Sequence, residues 1–154
     1  MRCRLAPVIV AAFALAAGAA GALAALPAGE YRARADAICA TVERDVRRLP
    51  VPDSRAEVKP YLDRLLPVLR RAGRRLGALE PPTRLAGDHA RYLRTGRLSV
   101  ALFAGMRTRL ARGADPIAVV RDAEPRLARL DAQGTAAARA LGLPACAREV
   151  SAGS

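Results

Sequence analysis

Few side chains in this sequence could take part in chemistry, and the single histidine, His89, is the first to consider. His89 and Tyr92 stand three residues apart, so a helix would place both on one face. Such a pair inside a helical bundle could bind haem or another hydrophobic ligand, and it is a weak candidate site. The alternative is a structural imidazole that packs half-buried against leucine or bonds a neighbouring carbonyl. No His, Cys or Met partner stands at ligand spacing, so the sequence predicts no metal and no resident cofactor.

The densest basic group lies in the middle of the chain and is a second weak candidate, for binding an anionic surface. We call these four residues the arginine cluster: Arg70, Arg71, Arg74 and Arg75. On a helix they would cover about one flank and could meet anionic lipid or a cell-wall polymer. The alternative is a solvated flank with salt-bridge partners such as Asp63 or Glu80.

Catalytic patterns are missing from the sequence. Hydrolytic acid–base chemistry needs paired carboxylates whose surroundings separate their pKa values. Asp115 is explained as a helix cap, and Asp122 and Glu124 as parts of a solvated face. No Ser, His and Asp form a recognisable triad pattern, and no glycine-rich phosphate loop is present. The sequence therefore predicts no catalytic residue and no enzyme activity.

The three cysteines divide into one near the N-terminus, Cys3, and a pair, Cys39 and Cys146. An even number of cysteines in an exported chain predicts a disulfide. Free thiols or metal ligands are the alternative for this pair, although no second His or Cys lies near either residue. A bridge would join positions 107 residues apart and would be worth about 4–5 kcal/mol in the chain-entropy estimate.

The first residues have the pattern of an export signal. Arg2 and Arg4 precede an apolar run over residues 5–26, and small residues near Ala24 offer a cleavage site. The run is also long enough to span a bilayer, so an uncleaved anchor is the alternative. We expect residues 1–25 to be the signal peptide or anchor, residues 29–148 to form the domain, and residues 149–154 to be a flexible tail. In either case the domain would lie outside the cytoplasm.

Composition favours helices and gives the chain a high positive charge. Hydrophobic residues make up 52% of the chain but aromatic residues only 3%, so Leu, Val and Ala must fill the core. The formal net charge is +12, supplied almost entirely by arginine. Such an excess of arginine, beside abundant Ala, Gly and Pro, is typical of the codon bias of a GC-rich genome. The functional alternative is attraction to anionic lipid, cell-wall polymers or another envelope protein. Nucleic acid is disfavoured, because no stacking aromatics accompany the arginines and export separates the chain from it.

Four apolar stripes with helical spacing predict an all-α, up-down four-helix bundle closed by one disulfide and preceded by a signal peptide. The expected helices run from about Glu30 to Leu49, from Ser54 to Leu79, from Thr83 to Arg112 and from Asp115 to Leu141. The second stripe is the most regular and resembles a heptad seam. The fourth begins at Val120 and continues through Ala123.

Local signals set the expected helix boundaries. Ser54 and Glu57 form a possible capping box, and Asp115 before Pro116 is a typical helix start. Gly142 suits the left-handed position that follows a helix. Prolines at 67 and 125 should kink their helices, or split the second of these. Within the first helix, Asp36 could pair with Arg32.

Two short motifs bracket the expected domain. The opening is Tyr31 followed by Ala35-Asp36-Ala37-Ile38-Cys39, and the ending is Leu141-Gly142-Leu143-Pro144-Ala145-Cys146, with Leu76, Leu79 and Glu80-Pro81-Pro82 between them. This pattern resembles a largely uncharacterised family of small secreted or lipid-anchored helical proteins common in actinobacteria. The resemblance implies that Cys39 and Cys146 are paired and supplies no activity. The chain lacks the lipobox of some members.

These features favour an exported, non-catalytic protein that binds a partner or an anionic envelope surface. An extracytoplasmic carrier of haem or a hydrophobic ligand is the alternative, because the two internal prolines could open a pocket in the bundle.

Overall fold

The structure is a computed structural model that describes residues 25–148. Within that range the chain forms four helices and no strand: α1 (Ala28–Arg47), α2 (Val58–Gly77), α3 (Ala86–Ala111) and α4 (Pro116–Leu141). Short 3-10 turns, Arg55–Glu57 and Thr83–Leu85, lead into α2 and α3. The predicted all-α four-helix bundle is therefore confirmed. Residues 1–24 of the expected leader and the expected tail 149–154 lie outside the described residues.

The helices run antiparallel to their neighbours, as the short connections predicted. In three of the pairs, residues from opposite ends of the two helices meet. These contacts are Arg107–Asp63 and Leu93–Gly77 between α2 and α3, Arg109–Asp122 and Thr95–Gly134 between α3 and α4, and Arg32–Leu141 between α1 and α4.

Two clusters of buried side chains fill the bundle. One contains Tyr31, Ile38, Leu76 and Leu141 and lies toward the end where the chain enters α1. The other contains Leu62, Met106 and Val119 and lies toward the opposite end. The seam predicted for α2 is buried or packed against these clusters from Leu62 to Leu79, whereas Val58 at its start is neither. In α4 the expected stripe was one residue off at its start, because Val119 is fully buried whereas Val120 is 42% exposed.

Helix α4 begins and ends as its sequence signals predicted. Asp115 Oδ2 accepts a hydrogen bond from the Ala118 amide at 3.1 Å, and Pro116 occupies the first turn. Gly142 has φ 72° and ψ 42°, the left-handed conformation that a residue with a side chain rarely adopts.

The capping box predicted before α2 is wrong. Ser54 makes no side-chain cap hydrogen bond. Glu57 Oε2 instead accepts a hydrogen bond from the Asp53 amide at 2.8 Å, one residue earlier than expected. The intervening 3-10 turn shifts the start of α2 to Val58 and takes Ser54 out of capping position.

Neither internal proline ends its helix: α2 continues through Pro67 and α4 through Pro125, so the possible split of the fourth helix is wrong. Both prolines are solvent-exposed. Water can therefore hydrogen-bond the carbonyl that each proline leaves without an amide partner.

The chain after α4 folds back over α1, and the Cys39–Cys146 disulfide is confirmed, with Cα atoms 5.1 Å apart. Asp36 Oδ1 accepts a hydrogen bond from the Ala145 amide at 2.6 Å. Arg32 Nε donates to the Leu141 carbonyl at 2.9 Å. The expected Asp36–Arg32 pair is therefore wrong, because both side chains bind the returning backbone instead.

Candidate functional site

A half-open cavity of about 500 Å³ lies between α1, α2, α3 and the C-terminal segment of residues 145–148. This volume is within the usual range for small-molecule sites. The solvent-exposed lining residues belong to the facing flanks of α2 and α3, with Arg148 beside them. The mouth of the cavity therefore opens between α2 and α3.

The interior of the cavity is apolar. Its walls are formed mainly by aliphatic and aromatic side chains from three helices: Val42, Leu69, Leu76, Tyr92, Leu93 and Val100. Leu76 is buried and the others are partly buried; of these, Val42, Leu69, Tyr92 and Leu93 also pack against the core clusters. An apolar molecule that entered would contribute roughly 25 cal/mol for each Å² of apolar surface removed from water.

Two glycines in mid-helix leave the cavity open. Gly73 in α2 and Gly96 in α3 both line it, and a Cβ atom added to either would meet no atom within 4 Å. Neither has a positive φ, so backbone conformation does not require glycine there. A glycine inside a helix costs about 0.5–1 kcal/mol relative to alanine. Glycine at these two positions therefore lowers the stability of the helices, and no close packing contact requires it.

Four arginines surround the mouth: Arg70 and Arg74 from α2, Arg97 from α3 and Arg148 from the C-terminal segment. Arg148 lies 3.8 Å from Glu43, which also pairs with Arg47. Among residues 25–148, the other three have no carboxylate within 4.0 Å. The mouth is consequently a region of uncompensated positive charge next to an apolar interior.

The disulfide forms part of the cavity wall, since Cys39 and Cys146 both line it. The hydroxyl of Tyr92 lies 3.6 Å from Cys39 Sγ. Burial, and next the negative charge of Asp36, raise the pKa of Tyr92. Its hydroxyl therefore stays protonated at neutral pH and can donate a hydrogen bond toward the cavity.

The structure divides the arginine cluster into two parts. Arg70 and Arg74 line the cavity, whereas Arg71 and Arg75 are exposed on the same helix without lining it. The suggested partner Asp63 pairs with Lys59 at 2.8 Å and with Arg107, so it does not neutralise the cluster. Glu80 makes no ion pair with the cluster in the described part of the chain.

The structure also separates the two residues of the expected ligand site. Tyr92 lines the cavity and His89 does not. His89 is 7% exposed, and its Nδ1 lies 2.8 Å from the hydroxyl of Tyr31. Its partner is thus a phenol rather than the carbonyl or leucine that the sequence suggested. Burial lowers the pKa of His89, and the nearby negative charge of Glu80 opposes that effect.

The sequence alone did not identify Arg97, Arg148, Gly73 or Gly96 as candidate site residues. Arginines are numerous in this chain, so nothing in the type of Arg97 or Arg148 distinguishes it from the rest. One signal was available for the glycines. Gly73 and Gly96 interrupt otherwise helical segments without turn residues beside them, which suggests a packing or functional reason.

A second, shallower groove of about 440 Å³ lies at the opposite end of the bundle, between residues 52–58 and 116–124. Its charges are mixed, with Asp53 and Glu124 beside Arg55 and Arg121. Mixed charge gives this groove no preference for one sign of ligand.

Within residues 25–148, no group of three His, Cys, Asp or Glu side chains is placed to hold a metal ion. None of the described helices is long and apolar enough to span a membrane.

No protein-family model matches this chain, and neither does any curated protein or solved structure.

Proposed function

We propose that this protein is a non-catalytic binding protein for an amphipathic anion, a molecule with an apolar chain and an anionic head group. The observation that supports this most strongly is the combination of an apolar cavity with three unneutralised arginines at its mouth. The chain would lie in the cavity, and the head group would bind Arg70, Arg74 and Arg97. Arginine suits this role because its planar guanidinium donates two parallel hydrogen bonds to a carboxylate or phosphate.

The polar groups of the cavity support binding rather than catalysis. Glu43 is the one carboxylate among the lining residues, and it is paired with Arg47 and Arg148. The hydroxyl of Ser99 donates to the Thr95 carbonyl at 3.1 Å. Because the pKa of Tyr92 is raised, its hydroxyl keeps its proton at neutral pH. Tyr92 can therefore donate a hydrogen bond but is not available as a general base.

An extracytoplasmic location is part of the proposal. It is supported by the basic and apolar leader of the sequence and by the disulfide, which persists in oxidising compartments. The leader would be removed as a signal peptide or kept as an anchor. Membership of the actinobacterial family of small exported helical proteins remains a prediction from the two bracketing motifs.

A haem carrier has less support than a carrier of an amphipathic anion. It would use His89 and Tyr92 together, but the imidazole of His89 faces Tyr31 outside the cavity. The other version of this alternative, a carrier of a neutral hydrophobic ligand, also has less support, because such a ligand offers no anionic group to the arginines at the mouth.

Calorimetric titration with three ligands of equal chain length tests the proposal. We expect laurate and lauryl phosphate to bind one molecule per chain and lauryl alcohol to bind at least tenfold more weakly, since about 1.4 kcal/mol of head-group interaction corresponds to a factor of ten. All titrations are made below the concentrations at which the ligands form micelles.

Two substitutions on the same helix locate the head group. Arg97→Gln should weaken lauryl phosphate binding about tenfold, whereas Arg94→Gln, at an exposed position outside the cavity lining, should leave it unchanged. Equal binding of the alcohol and the phosphate, or equal effects of the two substitutions, would contradict the proposal.

A further inference from the structure

We propose that the face formed by α2 and α3 docks on an anionic phospholipid bilayer and that the cavity takes its ligand from that bilayer. This inference rests on the proposed function, because it concerns the source of the ligand for the same cavity. Three features support it: the charge around the mouth, the apolar interior of the cavity and the direction in which the cavity opens.

The two helices that form the mouth have long stretches without acidic residues. Residues 64–79 contain five arginines and no Asp or Glu, and residues 89–114 contain six arginines and no Asp or Glu. All of these arginines are solvent-exposed. Within residues 25–148, the carboxylates lie instead on α1, on α4 and near the starts of α2 and α3. Three of the α3 arginines pair with Asp88, Asp63 and Asp122, and the other eight arginines of these two stretches form no ion pair within residues 25–148. The unpaired positive charge is therefore concentrated on the two helices that form the mouth.

The arginines next to the mouth are not neutralised by neighbouring carboxylates. Within residues 25–148, Arg71, Arg75 and Arg94 form no ion pair, like Arg70, Arg74 and Arg97 at the mouth itself. On α1, by contrast, two of the arginines are neutralised: Arg34 pairs with Glu30, and Arg47 pairs with Glu43. An anionic surface would therefore be attracted to the α2–α3 face more strongly than to α1.

The apolar interior of the cavity favours a bilayer over other polyanions. Its walls include the aliphatic side chains of Leu69, Leu93 and Val100. A bilayer supplies both anionic head groups for the arginines and apolar chains for the cavity. A cell-wall polymer or a nucleic acid would meet the same arginines but would leave the apolar interior unfilled.

Docking in this orientation would bring the mouth of the cavity to the source of its ligand. The exposed lining residues Arg70, Gly73, Gly96 and Arg97 would face the head groups. An amphipathic anion could then pass from the bilayer into the cavity with its apolar chain shielded from water, while its head group moves among arginines.

Vesicle co-sedimentation tests the docking, with vesicles of phosphatidylglycerol and phosphatidylcholine compared with vesicles of phosphatidylcholine alone. The oxidised protein should bind the anionic vesicles selectively, and its affinity should fall as salt is added. Each arginine near an anionic surface is worth about 1 kcal/mol, or about fivefold in affinity. The double variant Arg71→Gln/Arg75→Gln should therefore lose about 25-fold in vesicle affinity.

Matched variants separate docking from ligand binding. Arg71→Gln/Arg75→Gln should leave the affinity for soluble lauryl phosphate unchanged, because neither residue lines the cavity. Gly96→Leu should abolish lauryl phosphate binding and keep the selectivity of the protein for anionic over neutral vesicles, because it removes none of the arginines. Arg126→Gln/Arg129→Gln removes the same charge from exposed positions on α4 and should reduce vesicle affinity less than twofold.

Three outcomes would overturn the docking proposal: equal binding to neutral and anionic vesicles, equal loss from the α2 and α4 double variants, or binding to cell-wall fragments or RNA without binding to anionic vesicles. Failure of the proposed function looks different. In that case lauryl phosphate would not bind, while selective vesicle binding and the effect of Arg71→Gln/Arg75→Gln would persist.

Discussion

The hydroxyl of Tyr31 in α1 lies 2.8 Å from Nδ1 of His89 in α3, and both side chains are buried. The rings meet edge to face, with centroids 5.6 Å apart. Burial, and next the nearby Tyr92, raise the pKa of Tyr31 to about 12, so its hydroxyl is protonated at neutral pH and can donate to an unprotonated Nδ1. The contact joins two helices of the bundle, and neither side chain lines the cavity.

This contact predicts an acid-sensitive fold. Because burial lowers the pKa of His89, the unfolded chain binds a proton there more readily than the folded chain. The stabilising contribution of His89 is complete above its unfolded pKa of about 6.5 and is lost as the pH falls toward the folded pKa. Urea unfolding should give a lower free energy of unfolding at about pH 5 than at about pH 7.5.

The variant His89→Gln keeps a polar side chain of similar length and removes the titration. Its free energy of unfolding should change less between those two pH values than that of the wild-type protein. An equal decrease in both proteins would show that other groups cause the acid sensitivity.

The cavity glycines predict a variant that becomes more stable as it loses function. Gly96→Leu should raise the free energy of unfolding by about 0.5–1 kcal/mol, because leucine favours helix more than glycine and open space surrounds the position. The new side chain should also occupy the cavity and prevent laurate from binding. Thermal unfolding and calorimetric titration measure the two effects.

Gly105→Leu is the matched control on the same helix. Gly105 is exposed, has no atom within 4 Å of an added Cβ and does not line the cavity. This variant should gain similar stability and bind laurate normally. Loss of binding in both variants would mean that the cavity does not define the ligand site.

Reduction of the disulfide should destabilise the protein and weaken ligand binding. The bridge joins positions 107 residues apart, and the chain-entropy estimate for that separation is about 4–5 kcal/mol. Urea unfolding with and without reductant measures the loss. Laurate affinity should fall as well, since Cys39 and Cys146 form part of the cavity wall. In Cys39→Ala/Cys146→Ala, reductant should have no further effect. If that variant matched the oxidised wild type in stability, the bridge would not contribute as expected.

The left-handed glycine after α4 predicts a larger loss than its counterpart after α3. Gly142 and Gly113 both have positive φ, so alanine at either should cost about 1–2 kcal/mol. An added Cβ at Gly142 would also lie 2.9 Å from Arg32 Nε, whereas one at Gly113 would meet nothing within 4 Å. Gly142→Ala should therefore be the more destabilising of the two in urea unfolding, because it displaces the arginine that binds the Leu141 carbonyl. Equal losses would show that this contact contributes little.

The sequence predicted those features that depend on local chemistry. The cap at Asp115, the glycine at 142 and the spacing of apolar residues in α2 are each determined within a few positions of the chain. The disulfide was predictable because only two cysteines lie outside the leader region. Ser54 shows the limit of such signals, since the correct residue types were present but a 3-10 turn moved the helix start.

The candidate site was harder to predict because it is formed by parts of the chain that are far apart. Arg70, Arg97 and Arg148 reach the same cavity only after α2, α3 and the C-terminal segment have packed together. The sequence marks Arg70 only as part of the arginine cluster, and nothing in it distinguishes Arg97 or Arg148 from the other arginines. The role of Asp36 was missed for the same reason, because its partner is the backbone of Ala145 near the other end of the domain.

Amide NMR during a titration with laurate tests the binding site most directly, since Gly73 and Gly96 report from the cavity and Gly105 and Gly134 from outside it. We expect saturable shifts of the Gly73 and Gly96 amides at one laurate per chain, with Gly105 and Gly134 unmoved. Unchanged cavity glycines, or shifts confined to residues 116–124 at the opposite end of the bundle, would contradict the proposed site.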